Sequence, residues 1–136
     1  MLRIHYRPVI IFCLSLLAVF GLAGCSLFTT TVDISDNGSI KSLKVGDCLI
    51  VKLEGNASTG YEWARVEPAS LEGAAVDIVT EGDYQTLGTA MPGAPGVFEF
   101  HYRAMRPGTV TLRFEHRRPW DTGNPIDSYS VTVWVR

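Results

Sequence analysis

Among side chains able to do covalent or acid–base chemistry, Cys48, His101 and His116 come first, because a thiol beside an imidazole is a minimal nucleophile–base pair. Their surroundings do not support that pairing. Cys48 sits at the edge of a strand-like run with no helix N-terminus to lower its pKa, and it reads as a small buried thiol. His101 and His116 fall on predicted polar faces, and no His, Cys, Asp or Glu recur at metal-ligand spacing. The acids are spread singly, as a solvated surface would have them. An enzyme, a cofactor and a metal are therefore not expected.

Recognition is the chemistry left. Three short loop motifs carry it: Asn56-Ala57-Ser58-Thr59-Gly60 running into Tyr61, Pro92-Gly93-Ala94-Pro95-Gly96, and Arg118-Pro119-Trp120. No base or nucleophile sits beside them. Taken singly, the first two also suit ordinary turns, since Asn and Gly tolerate positive φ and Ser and Thr bond to nearby backbone. The third is less ordinary. A tryptophan in a polar loop, with Pro119 fixing the backbone before it, exposes a large apolar face, and Trp and Arg are enriched at binding hot spots. The alternative for Trp120 is an indole folded back onto the edge of the core.

Strands must position these loops. The first β-like stretch is Thr31 to Ser35, followed by turn signals at Asp36-Asn37-Gly38 and Val45-Gly46-Asp47. Period-two alternation then marks Leu49 to Leu53, Tyr61 to Trp63, Val76 to Ile78, Phe98 to Ala104, Val110 to Phe114 and Tyr129 to Val135. No segment after the signal keeps a helical period for three turns, though Ala69 to Ala74 has room for a short turn. Repeated short strands with Gly/Pro turns predict an all-β, immunoglobulin-like antiparallel sandwich. Connections in such a walk alternate between two ends. Counting from the Asn56 loop, the loops at about Thr80 to Gly96 and at Arg117 to Asp127 return to the same end. A further strand near Gly82 to Leu87 would break that count.

The N-terminus reads as an export signal. Arg3, His5 and Arg7 precede an apolar run from about Val9 to Leu22, too short to span a bilayer, then Leu22-Ala23-Gly24-Cys25. That tetrapeptide resembles a bacterial lipobox, which implies cleavage after residue 24 and acylation of Cys25, with enough lipid for stable anchoring. The expected organisation is a signal over 1–24, a lipidated cysteine and tether over 25–30, and one domain over 31–136. Ser26 rather than an aspartate after the cysteine favours, by sorting convention, an outer membrane, with the domain facing periplasm or surface. Arg3 and Arg7 leave with the signal, so ten Lys and Arg face fourteen acids and the mature net charge is about −4. That sign is wrong for nucleic acid. Cys48 is the one thiol left free, so an internal disulfide is excluded and the core must hold a monomeric domain together.

Together, Asn56 to Trp63, Pro92 to Ala104, Arg106-Pro107-Gly108 and Arg118-Pro119-Trp120 resemble the chagasin family of papain-like cysteine peptidase inhibitors, from about Val32 to Arg136. The resemblance implies three binding loops at one end of an immunoglobulin-like sandwich. It implies that the Asn56 loop enters the cleft, with Thr59 closest to the catalytic cysteine and histidine. Gly93, Ala94 and Gly96 would meet the enzyme mostly through backbone on one side, and Arg118 and Trp120 would grip the other. Two departures stand out: Ala57 and Ser58 replace proline and threonine, and Pro95 replaces the first of two paired glycines. They keep open a second reading, a lipid-anchored immunoglobulin-like binding or envelope-structural module that inhibits nothing.

Overall fold

The computed structural model describes residues 28–89 and 91–136. The signal over 1–24, Cys25 and the first part of the tether lie outside the described residues.

Eight strands form two four-stranded sheets: β1 (Thr29–Val32), β2 (Ser39–Leu43), β3 (Cys48–Gly55), β4 (Glu62–Glu67), β5 (Val76–Thr86), β6 (Gly96–Ala104), β7 (Gly108–Arg117) and β8 (Asp127–Val135). Sheet order is β1-β3-β6-β5 in one and β2-β8-β7-β4 in the other. Alternation drives the assembly. In the first sheet Leu49, Val51 and Leu53 stand opposite Tyr102, Phe100 and Phe98; in the second Leu112 and Phe114 stand opposite Val131 and Tyr129. All of these are buried. The sheets meet through aromatic contacts, with Phe114 4.7 Å from Phe100 and 6.5 Å from Tyr102 between ring centroids, while Tyr129 flanks Phe114 at 5.9 Å within its own sheet. Each such pair adds about 0.5–1.5 kcal/mol beyond area burial.

The end-to-end count survives. Gly82 to Thr86 is not an extra strand but the continuation of β5 through two bulges, so β5 still counts once. The connections at 56–61, 87–95 and 118–126 therefore share one end, and those at 68–75 and 105–107 share the other.

Two local expectations are corrected. Strand β1 starts at Thr29, inside the stretch expected as tether, and ends where Asp33 caps a 3-10 turn over Ile34–Asp36. Strand β2 gave no clear signal, because its more covered positions are Ser39, Lys41 and Leu43 while the apolar Ile40 is exposed, so its burial alternates but its hydrophobicity does not. The short turn expected within Ala69 to Ala74 is present, and a 3-10 turn lies at Ala57–Thr59.

Phe114→Ala should destabilise the domain by about 3–5 kcal/mol, since it empties the junction of both sheets. Urea unfolding measures this; a loss under about 1 kcal/mol would show that the rings are not the keystone described.

Candidate functional site

The tip is built loop by loop. Asn56 caps the turn over Ala57–Thr59: its Oδ1 accepts from the Ser58 N–H at 3.1 Å and from Ser58 Oγ at 2.6 Å. Thr59 Oγ1 donates to the Asn56 carbonyl at 2.6 Å, and the Thr59 N–H reaches the same carbonyl at 3.1 Å. Gly60 closes the turn at φ 78°, a conformation that strains any residue bearing a Cβ. Ser58 and Thr59 are exposed, whereas Ala57 is half-buried and packs back on the core.

The second loop is a turn with Pro92 and Gly93 at its corners. Gly93 has φ 81° and the Ala94 N–H donates to the Met91 carbonyl at 3.0 Å, as a type II turn requires. The Leu87 N–H donates to the Pro95 carbonyl at 2.9 Å and closes the loop at its base, so the proline's missing N–H is not called on there. The Tyr84 hydroxyl donates to the Ala94 carbonyl at 3.2 Å. With these groups engaged inside the domain, the loop presents side chains more than backbone: Leu87, Met91 and Pro92 are exposed. Gly96, expected to meet the enzyme through backbone, has an internal task. It is buried, and a Cβ there would stand 2.4 Å from the Tyr84 ring, so its role is to let that ring close over the strand.

The third loop turns at Pro119 and Trp120, with the Asp121 N–H donating to the Arg118 carbonyl at 3.0 Å. Sequence reasoning missed its pin. Arg117 donates to the carbonyls of Asp121 at 2.8 Å and Gly123 at 3.0 Å while Glu115 holds it from below at 2.9 Å. Parity was the signal available, since Arg113, Glu115 and Arg117 share one face of β7.

Two sets of contacts make the three loops one surface. Asn56 Nδ2 donates to the Gly93 carbonyl at 2.9 Å, joining the first loop to the second. The Trp120 indole lies over Gly60, only 3.0 Å from where a Cβ would be, joining the first to the third. Trp120 is nevertheless 72% exposed. The alternative of an indole folded into the core edge is thereby excluded.

Beneath the tip runs a column. The Arg118 guanidinium sits 4.6 Å over the Tyr61 ring, Tyr61 meets His116 edge-on at 5.8 Å, and His116 stacks on Trp63 at 4.8 Å. Trp63 is buried and its indole N–H donates to the Glu54 carbonyl at 2.9 Å. His116 was expected on a polar face. It points inward because it shares the parity of Val110, Leu112 and Phe114. Burial lowers its pKa below the ordinary 6.5, opposed by the Asp127 carboxylate. Cys48 lies at the start of β3, at the other end of the sandwich from His116, so they cannot act together. Among the described residues, no group of three or more His, Cys, Asp or Glu is placed to hold a metal ion.

Residues 42–133 match the family described as Chagasin family peptidase inhibitor I42. The chain belongs to the chagasin family. Chagasin of Trypanosoma cruzi is 30% identical over 101 residues, which span 74% of this chain and 90% of that protein. Amoebiasin-2 of Entamoeba histolytica is 26% identical over 95 residues, 69% of this chain and 75% of the relative. In fold, the chain is similar to the cysteine protease inhibitor EhICP2 from Entamoeba histolytica, with a TM-score of 0.71 at 21% identity, covering 82% of this chain and 98% of that one. It is also similar to PbICP-C, solved in complex with falcipain-2, with a TM-score of 0.55 at 22% identity over 82% of this chain and 93% of that one. The family consists of peptidase inhibitors, so the chain is an inhibitor and not an enzyme. The family assignment fits a tip whose three loops carry only Arg118 and Asp121 as charges.

Two expected outcomes follow from this geometry. Asn56→Asp keeps the acceptor that caps the first turn but sets a carboxylate oxygen against the Gly93 carbonyl. It should leave the unfolding free energy from urea titration within about 1 kcal/mol of the parent while weakening inhibition; unchanged potency would mean that the two loops need no clasp. For His116, the depressed pKa contributes stability that is present above about pH 6.5 and is lost as pH falls below it. The urea midpoint should therefore drop between about pH 7.5 and about pH 5, and drop less in His116→Phe. Parallel slopes would remove His116 as the cause.

Proposed function

We propose that this chain is a reversible proteinaceous inhibitor of papain-like cysteine peptidases that fills the active-site cleft with the tip of its sandwich. The observation that carries the reading is the 72% exposed Trp120, at the same end as the exposed Thr59 and Gly93. Stability alone gives a small domain no reason to leave an indole in water. Family membership supports the same conclusion.

In this reading Thr59 stands at the crest, nearest the enzyme's cysteine and histidine, with Ser58 and Tyr61 beside it. A 3-10 turn does not lie extended along a cleft, so the first loop occupies the site without offering a cleavable peptide bond. The second loop lines one wall, chiefly through Leu87 and Met91. Arg118, Pro119 and Trp120 hold the other. Because hydrogen bonds within the domain already fix all three loops, little entropy remains to be lost on binding, and contact energy appears as affinity. Nanomolar inhibition needs about −12 kcal/mol in total.

The same proposal takes residues 1–24 as a signal, Cys25 as the acylated first residue, and the described domain as a monomer held at the cell envelope, on an outer membrane facing periplasm or surface. The tetrapeptide ending in Cys25 and the apolar run before it support this placement. The non-inhibitory module drew on Pro95 and on Ala57 and Ser58. In the structure the second loop closes through the Pro95 carbonyl, and Asn56 caps the first without the family's proline.

Titration of papain with the protein tests the reading. Inhibition at a one-to-one ratio is expected, and none at all would leave the binding-module reading in its place. Trp120→Ala should weaken inhibition on the order of 30- to 1,000-fold, a loss of about 2–4 kcal/mol, without moving the urea midpoint. A fully potent variant would contradict the role given to the indole.

A further inference from the structure

We infer that the pole opposite the loops is a membrane-seating face, which holds the inhibitory tip pointing away from the lipid surface. The inference rests on the proposed acylation of Cys25.

The exposed large apolar side chains fall into three groups: Leu87, Met91, Trp120 and Ile126 stand at the tip, Phe28, Val45, Met105 and Trp134 stand around the other end, and Ile34, Ile40, Ile78 and Val79 lie between. Family function accounts for the first group only. The segments that carry the second are tied together through backbone. The Phe28 carbonyl accepts from the Cys48 N–H at 2.9 Å, the Val45 N–H donates to the Arg136 carbonyl at 3.3 Å, and the neighbouring Gly46 N–H donates to the Ala104 carbonyl at 2.8 Å. One turn thus links the chain entry, the chain end and the 105–107 connection.

The chain itself selects the occupant. Strand β1 runs parallel to β3, so Thr29 lies beside Cys48, at the far end from Gly55 and the loops. Phe28, 71% exposed, is the first described residue and stands three positions after Cys25. Three residues of extended chain reach at most about 11 Å. An acyl chain in the bilayer at Cys25 therefore brings this pole, and no other, into the interfacial layer. The side chains suit that layer. Trp134 is 50% exposed with the Arg136 guanidinium 5.9 Å over its ring, a tryptophan–arginine pair of the kind found at lipid–water boundaries. Lys44, Arg103, Arg106 and Arg136 are exposed here and face Glu72, Asp77, the terminal carboxylate and Asp47, which accepts the Lys44 N–H. The local balance is thus close to neutral on a domain of net negative charge, so this pole repels anionic headgroups less than the rest of the domain does. Nine-residue β6 spans the height of the sandwich, so the tip stands on the order of 30 Å from the lipid.

The test uses the full, acylated chain in vesicles of phosphatidylethanolamine and phosphatidylglycerol with brominated acyl chains. Trp134 emission should be quenched, so the loss persists in Trp120→Phe and disappears in Trp134→Phe, and Trp134→Phe should inhibit soluble papain like the parent. Quenching that disappears in Trp120→Phe instead would put the loops on the membrane and overturn the inference. A chain that floats with vesicles but shows no quenching would overturn it and leave the anchor intact. A chain that does not float would remove the anchor and the inference together. A concentration-dependent dimer in detergent, dispersed by Val45→Asp, would assign the pole to a second copy and also overturn it.

Discussion

The carboxamide of Asn56 points its oxygen into its own turn and its nitrogen across to the carbonyl of Gly93. One planar group thereby fixes the shape of the first loop and its distance from the second. Few other side chains can do both. Aspartate has no donor for Gly93, serine has too short a reach, and glutamine would move the cap one bond away. The interaction is worth little in stability, of the order of a single cap. Its effect is on position, because two loops that move independently would have to be ordered when a partner binds.

The third loop is tied by packing rather than by a hydrogen bond. Gly60 supplies two things at one position: the left-handed φ that ends the 3-10 turn, and a bare Cα on which the Trp120 indole can rest. The column of Arg118, Tyr61, His116 and Trp63 then connects the tip to the core, so the loops sit on a stack of flat groups rather than on solvated strand ends. Within that column, His116 is the member whose charge can change near neutrality. The stack suits a neutral imidazole, and burial favours that form. Arg117 performs the complementary task from outside, binding the loop's carbonyls while Glu115 offsets its charge.

Much of this was visible in the sequence. Strands β3, β6, β7 and β8 could be read because each buries one face and solvates the other, and parity alone brought the three loops to one end. What could not be read has a physical pattern. Strand β2 alternates in burial, but Ser39 and Lys41 hold covered positions while Ile40 is exposed, so its hydrophobicity shows no period. The inward turn of His116 was available from parity, yet its polar side chain argued for the outside, and an aromatic stack overrode that preference. Gly96 looked like a contact residue in a glycine motif. Only the position of Tyr84, twelve residues earlier and on a neighbouring strand, shows that its missing Cβ is needed inside the domain. Loop 2 reads in the sequence as offering backbone. The carbonyls of Met91, Gly93, Ala94 and Pro95 accept hydrogen bonds within the domain, while the side chains of Leu87, Met91 and Pro92 stand exposed.

The distribution of charge on the tip bears on how such a surface discriminates. With Arg118 and Asp121 as the only ionised groups in the three loops, and Arg118 lying flat on Tyr61, the tip has little field with which to steer or reject a partner. In the proposed binding mode, selectivity then comes mainly from shape: the width of the ridge formed by Thr59 and Gly60, and the apolar shoulders at Met91 and Trp120. Shape is selective only if the surface does not yield. A ridge free to flatten would fit wide and narrow clefts alike, and would pay in affinity for each. Tying the loops to one another before binding is therefore what allows a nearly uncharged surface to be both tight and selective, and it is why a modest hydrogen bond at Asn56 matters more than its energy suggests.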